Sequence, residues 1–522
     1  MPKHLPKPSS VPAAPSATAA RIAAIAVLAG LAGMPAVHAA GWLADTRNAC
    51  EVYNPGDDAI EAVRWLGPCR DGRAEGEGIA QWLREGRTVA VDVGRFRQGL
   101  ADGVVVSLRE NGERVEGEYR AWAGEGLVRF GFDNGDEYAG QWSAGVFAGL
   151  GVLDWKSGDR YAGEWASGAA TGHGRVVYAD RSRYEGLVLD GRPHGLGLLE
   201  IRGGFSYRGE WSMGQFAGSG VYTAGSGSRF EGEFVDGKRQ GVGVHTWSDG
   251  ARYAGGLAKD VQDGHGVHQS ADGTVYAGQY ESGRIEGLGE RRWKSGDAYA
   301  GQWSADAMHG LGVYDWAADG RYEGQLARGR FSGHGVREWG NGTRYAGEWA
   351  DDQRSGLGVS TWADGKEIAG RFSGDQAQAG ETDNARAAAE VAARTAEQAR
   401  EQAAAAAPQA AEARAIAERA DGAARAAIDA AQRGREVAGR AREAAESAEN
   451  SAREAAQVGR PVEALIREVQ RGLNAAGHKA GRPDGILGPR TLGALDDYVG
   501  GIEAWPAEGM TLEALVARMS GG

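Results

Sequence analysis

The sequence predicts a multidomain chain: an all-β hairpin solenoid, a long alanine-rich α-helical spacer and a small three-helix C-terminal domain. Three observations carry this. Glycine is 86 of 522 residues, about 16%, against a usual ~7%. Trp and Tyr are also abundant, 16 of each, which excludes a simple Gly/Pro disordered chain. And a Gly-aromatic line recurs every 23 residues through the middle of the chain, then gives way abruptly to Ala, Arg and Glu. The net charge of −13 argues against a nucleic-acid partner.

The first 39 residues read as an export signal. Lys3, Lys7 and Arg21 precede the apolar run Ile22–Gly33, which is too short to span a bilayer. Val37-His38-Ala39 supplies a small-x-small cleavage site. No twin arginine precedes the run and no cysteine sits at the cut, so the general secretory route is expected rather than a lipid anchor. Export places both cysteines, Cys50 and Cys69, in an oxidising compartment, where a Cys50–Cys69 disulfide is expected. They fall in or beside a cap segment, residues 40–64, at the start of the array.

The array spans residues 65–373. Tyr161-Ala-Gly163-Glu-Trp165, then Gly168, then Gly172-His-Gly174 and Tyr178, is one copy. The anchor recurs at Tyr138, Tyr184, Tyr207, Phe230, Tyr253, Tyr276, Tyr299, Tyr322 and Tyr345. Tyr161, Gly163 and Trp165 alternate on one strand face, Ser167-Gly168 turns, and Gly172, Gly174 and Val176 alternate on the return, so each copy is a β-hairpin. Stacked copies are expected to bury the aromatic row against a neighbour's glycines, as a rod advancing roughly 9–10 Å per repeat.

This pattern resembles the MORN repeat family, and the Cys50–Gly78 stretch resembles the cysteine-bearing start of its bacterial members. The resemblance implies a binding or assembly platform rather than an enzyme. The acid or amide in Gln141, Glu164, Glu210, Glu233, Gln279, Gln302, Gln325 and Glu348 appears once per repeat and reads as a solvated outer row. The alternative is a carbohydrate- or protein-binding ladder. His173, His265 and His334 lie three or four repeats apart, roughly 30–40 Å, too far to share a metal. No metal site, cofactor or catalytic residue is expected.

Residues 377–460 are rich in strong helix formers. Pro408 is expected to break or kink the segment, leaving a short helix and a longer one to about Gln457. Large apolar residues are scarce, so it reads as a semi-rigid spacer. The alternative is an alanine-seam coiled coil that makes the chain a homo-oligomer.

Residues 461–522 regain apolar periodicity at Leu465, Ile466, Val469 and Leu473. They resemble the small helical peptidoglycan-binding domain of bacterial wall enzymes. The matching residues are Gln470, Leu473, Gly477, Gly481, Asp484, Gly485, Gly488 and Thr491. His478 stands where an aromatic is frequent, and Tyr498-Val499 where a Phe-Gln type ending is frequent. Most motif residues read as turn and cap residues, with ligand contacts in the groove beside them, including Arg490 and His478. The resemblance implies peptidoglycan as a partner and the periplasm or cell envelope as the address. The expected function is therefore a non-enzymatic envelope scaffold, tethered to peptidoglycan and presenting its array to a protein or lipid partner. A lipid-binding or regulatory periplasmic scaffold, or an accessory subunit of a wall-remodelling enzyme, is the alternative.

Overall fold

The computed structural model describes residues 41–55, 60–374, 376–486, 488–500 and 512–519. The expected signal peptide lies outside the described residues. The chain divides into two compact units: among the described residues, the first comprises 41–202 with 435–519, the second 203–434.

In the first unit, Gly41–Ala44 and Glu51–Asn54 pair antiparallel in a small sheet with Arg73–Ala74 and Cys69–Arg70. The Cys50–Cys69 disulfide is formed across it, with a Cα separation of 5.9 Å. Closing that loop contributes about 3 kcal/mol by restricting the unfolded chain. Asp45, fully buried, ties the cap to the array by accepting the Trp65 backbone N–H at 2.8 Å. From Ala62–Leu66 to Arg192–Glu200 the strands form an antiparallel meander, each paired with the next. In the second unit, strands from Ser206–Ser212 to Gln376–Ala379 do the same.

The repeat at 161–177 shows why these residues make this hairpin. Ser167 and Gly168 both have positive φ, 51° and 82°, the pair of left-handed residues that a type I′ turn needs to match strand twist. Gly163 pairs with Gly174 and Trp165 with Ala170, leaving one residue opposite three. The bulge is at Gly172, φ 112°. Tyr161 is fully buried and its hydroxyl donates to the Glu164 carbonyl at 2.8 Å. Its ring lies over Gly163 and Gly174, so the tyrosine covers its own repeat's glycines and not, as expected from sequence, a neighbour's. Neighbouring repeats are joined by tryptophan instead. Trp303 packs edge-on to its own Tyr299 at 5.1 Å and to the preceding Tyr276 at 5.3 Å, and its indole N–H donates to the Gly289 carbonyl.

The second unit buries polar groups in the tyrosine face. His245 stacks on Trp247 at 4.2 Å and is 4% exposed. Burial, helped by the Arg239 charge, pushes its pKa down to about 4. The folded state therefore resists a proton that the unfolded chain accepts from pH 6.5 downward, so stability is full above 6.5 and falls towards pH 4. The expected loss over that window is about 3 kcal/mol. Urea unfolding should show His245→Phe flattening this pH dependence; an unchanged slope would assign it to other groups.

Thr382–Val458 is one continuous helix, so Pro408 does not end it. The proline's lost hydrogen bond costs about 3 kcal/mol in a free helix. Here the surrounding residues are pinned: Ala410 and Ala413 pack on Ala277, and the Gln409 side chain accepts from Gln279 Nε2 at 3.0 Å and meets His265 Nε2 at 2.8 Å. Composition makes the helix legible but not its seating. Every seventh residue from Ala385 to Ala455, and from Ala389 to Gly459, is alanine or glycine. That is the two-position, seven-residue period of a coiled-coil seam. Within each unit the seam rests on the sheet face opposite the tyrosines. Ala392 and Ala396 meet Val336 and Ala346; Ala417, Ala420 and Ala424 meet Val244 and Ala254 in the second unit. Ala445 and Ala448 meet Val152 and Ala162 in the first.

The two periods are nearly commensurate. Ala346 and Ala254 are four repeats apart, while their helix partners are separated by roughly 26 residues, about 39 Å of helix. That is about 10 Å per repeat, the width of two strands.

The C-terminal helices Arg460–Ala475, Pro489–Gly500 and Leu512–Met519 belong to the first unit. They share a core with the array's first strands: Val462, Ile466, Leu473, Leu495 and Val499 pack with Leu66, Ile79, Val91 and Val106. Asp496 adds a polar clasp, accepting from Thr88 Oγ1 at 2.6 Å and Gln81 Nε2 at 3.0 Å.

Candidate binding surfaces

The acid or amide present in eight of the ten repeats does structural work within its own hairpin; Leu187 and Gly256 stand in its place in the other two. Each bulge leaves a backbone N–H without a strand partner, and a buried or half-buried donor needs one. Glu164 accepts it from His173 at 2.6 Å, Gln302 from Leu311 at 2.8 Å, Gln325 from His334 at 2.8 Å and Glu348 from Leu357 at 2.7 Å. Gln141, Gln279 and Glu210 repeat the bond to Leu150, Leu288 and Ser219. Glu233 fills the same space beside Gly241. The row is a bulge cap, which explains its spacing without a ligand.

The face under the helix carries a second pattern that sequence reading missed. Most repeats place alanine after the anchor tyrosine and valine on the return strand, where a solvated face would be polar. At Glu323, Glu290 and Glu185, which replace those small residues, the helix supplies an arginine. Arg400 donates to Glu323 at 2.8 Å and Arg414 to Glu290 at 2.7 Å in the second unit. Arg252 pairs with Asp421, and Arg386 with Glu367 at 3.3 Å. In the first unit Arg442 donates to the buried Glu185 at 2.7 Å. Each of these helix residues directly follows a seam alanine, so all five project from one flank of the seam. The signal was present in the chain as a seven-residue alanine period, masked by the abundance of alanine between.

In the C-terminal module, Gln470 is the hub. Its side chain is 1% exposed; Nε2 donates to Asp484 Oδ1 (3.0 Å), the Ile486 carbonyl (3.0 Å) and Thr491 Oγ1 (3.1 Å). Its Oε1 accepts the Gly485 N–H at 3.0 Å. Asp484 also accepts the Ile486 N–H, and these bonds hold its carboxyl below the usual range. Leu473 is fully buried and accepts the His478 N–H at 2.9 Å, closing the helix over Gly477, whose φ is 90°. Asn474, unremarked in the sequence reading, clamps both the Gly481 carbonyl and the Ala480 N–H. Thr491 is buried and donates to the Ala480 carbonyl; Gly488 accepts the Leu492 N–H.

Most motif residues therefore hold the loop. What faces solvent is Lys479, Arg482, Arg490 and Ile486, the last 55% exposed, with His478 half-buried edge-on to Tyr498 at 5.5 Å. Among the described residues, no group of three or more His, Cys, Asp or Glu could hold a metal.

Comparisons with known proteins bear on the array. The MORN repeat model matches residues 138–160, 161–183, 184–204, 207–229, 230–252, 253–275, 276–298, 299–321, 322–344 and 345–367. No curated protein matches. Among solved structures, the SAS-4 TCP domain of Drosophila melanogaster, in complex with a proline-rich motif of Ana2, aligns at 11% identity and a TM-score of 0.17 over 33% of this chain and 82% of that one. A virginiamycin B lyase from Staphylococcus aureus aligns at 9% identity and a TM-score of 0.10, over 60% and 85%. A streptogramin B lyase aligns at 11% and 0.10, over 56% and 91%. Those scores are too low to carry an argument about fold or function. The family match and the repeated hairpin geometry agree: residues 138–367 are ten tandem MORN repeats, an array of the binding or scaffold type.

Proposed function

We propose that this protein is a non-enzymatic scaffold of the bacterial envelope, exported to the periplasm and held on peptidoglycan by the loop of its C-terminal module. The array presents its hairpin edges to a protein partner. The observation that carries the reading is the Gln470-clamped loop. It displays Lys479, Arg482, Arg490 and Ile486 on a chain of net charge −13, while its one acid, the exposed Asp484, keeps one carboxylate oxygen bonded to Gln470 and to the Ile486 N–H. A local cationic rim around an exposed apolar residue suits a ligand that carries carboxylates on a carbon framework, as the stem peptides and lactyl groups of peptidoglycan do. Export, read from residues 1–39, puts the module in reach of that polymer.

Purified sacculi provide the test. The mature chain should co-sediment with them, and Arg482→Glu with Arg490→Glu should reduce the bound fraction at least tenfold without changing the circular dichroism spectrum. A mature chain that stays in the supernatant would overturn the tether. Equal binding by the charge-reversed variant would move the contact away from this loop.

A further inference from the structure

We propose that the long helix is an exchangeable clasp, able to leave its own array and seat on the equivalent face of a second copy of this chain. Three observations converge on it.

The first is the hinge. Only Gly380 and Glu381 connect the last strand, Gln376–Ala379, to the helix beginning at Thr382. Both have positive φ, 141° and 49°. Glu381 has a side chain and so holds the left-handed conformation at a cost, offset in the closed form by its ion pair with Arg371 and by the Arg386–Glu367 pair. Short, strained hinges of this kind favour exchange, because an extended connection relieves them.

The second is the seam. Alanine against alanine and valine buries little apolar surface per residue, so release of the seam itself is far less costly than release of a leucine seam. The seam is also nearly degenerate. A slip by one heptad would again set alanines on the sheet, so the alanines alone do not choose a register or a partner.

The third is the flanking charge pattern, which does choose. In the second unit it reads Arg386, Arg400, Arg414, Asp421 on the helix against Glu367, Glu323, Glu290, Arg252 on the sheet. A one-heptad shift would break these pairs, and a shift of Asp421 along the face would bring it towards Glu290 or Glu231. A second copy carries the same pattern and satisfies it completely. Because Arg460–Ala475 follows the long helix after Gly459 and shares a core with the array's first strands, the C-terminal helices exchange with it, and exchange then preserves every contact with the sheet and changes only the hinge. The two-residue connection favours the closed form up to an effective concentration in the millimolar range, so exchange belongs where copies are crowded.

The test uses two full-length populations carrying different tags, one with Ala346→Cys in the sheet and one with Ala396→Cys in the helix. Both positions are buried in the closed form, so collisions between closed molecules do not join them. A doubly substituted chain, which links within itself, establishes that the geometry permits the bond. Mixed at about 1 mM and then oxidised, the two populations should form a cross-copy disulfide. Arg400→Glu with Arg414→Glu in the helix donor should leave that product unchanged, because the closed and exchanged forms lose the same pairs. Adding Glu323→Arg with Glu290→Arg in the acceptor should raise it at least tenfold, because only exchange then restores them. Intrachain linkage in the double-cysteine chain with no cross-copy product would overturn exchange. Cross-copy linkage no greater with both reversals than with neither would overturn the charge pattern as its address.

Discussion

Valine in place of Gly174 should cost the first unit about 3–5 kcal/mol, the range seen when a buried aromatic is lost. A Cβ there would fall 2.5 Å from the Tyr161 hydroxyl oxygen and closer still to one of its ring carbons. The backbone of Gly174 is not in the left-handed region, so the penalty is purely steric. The ring has no room to slide, because Gly163 lies beside Gly174 beneath it and Trp165 stands edge-on at 5.4 Å. It must swing out, losing full burial and its bond to the Glu164 carbonyl. Alanine at Gly168 is the contrasting case: nothing lies within 4 Å of its added Cβ, but its φ of 82° makes the substitution cost about 1 kcal/mol. Urea unfolding of both variants separates the two reasons for glycine. Equal small losses would mean that the tyrosine face is loosely packed and that the glycine–ring contact is not what joins the two strands.

That distinction also shows what the chain disclosed in advance. The hairpin, its turn and its glycines are local, set within 23 residues by alternation and by positions that need positive φ. Ten phase-locked copies made that pattern unmistakable. The bulge cap was visible only as a periodic acid or amide, because its partner N–H lies nine residues on and carries no residue-type signature. The helix seating was hidden for a different reason. Its partners are separated by tens to hundreds of residues, as with Arg442 and Glu185, and neither strand nor helix shows a conventional apolar stripe. Alanine was read as propensity when it was also a contact surface. The small residues permit close approach, and the few charges confer specificity.

The C-terminal motif illustrates the converse, a pattern readable as residues but ambiguous as roles. Gln470→Leu should separate the roles with the largest effect of any single change in the module. Leucine fills similar volume within the buried cluster of Val469 and Leu473 but removes four hydrogen bonds at once. The Gly485 N–H and Thr491 hydroxyl are buried, and each loses a partner at about 1–3 kcal/mol, whereas the more exposed Asp484 and Ile486 oxygens can turn to water. A net cost of about 3 kcal/mol falls on residues 484–486, which Gln470 joins to the helix. The loop should therefore open while the helices stay seated on the array through Ile466, Leu473 and Leu495. Hydrogen exchange should speed up at Ala480, Gly485 and Ile486 and remain slow across 462–469. Sacculus binding should fall as far as in the Arg482/Arg490 charge reversal, but with loop protection lost only in the glutamine variant. Protection that persists at Gly485 in Gln470→Leu would mean that the glycines and the Asp484 turn hold the loop unaided. The glutamine would then be free to act as a ligand contact rather than as the clamp.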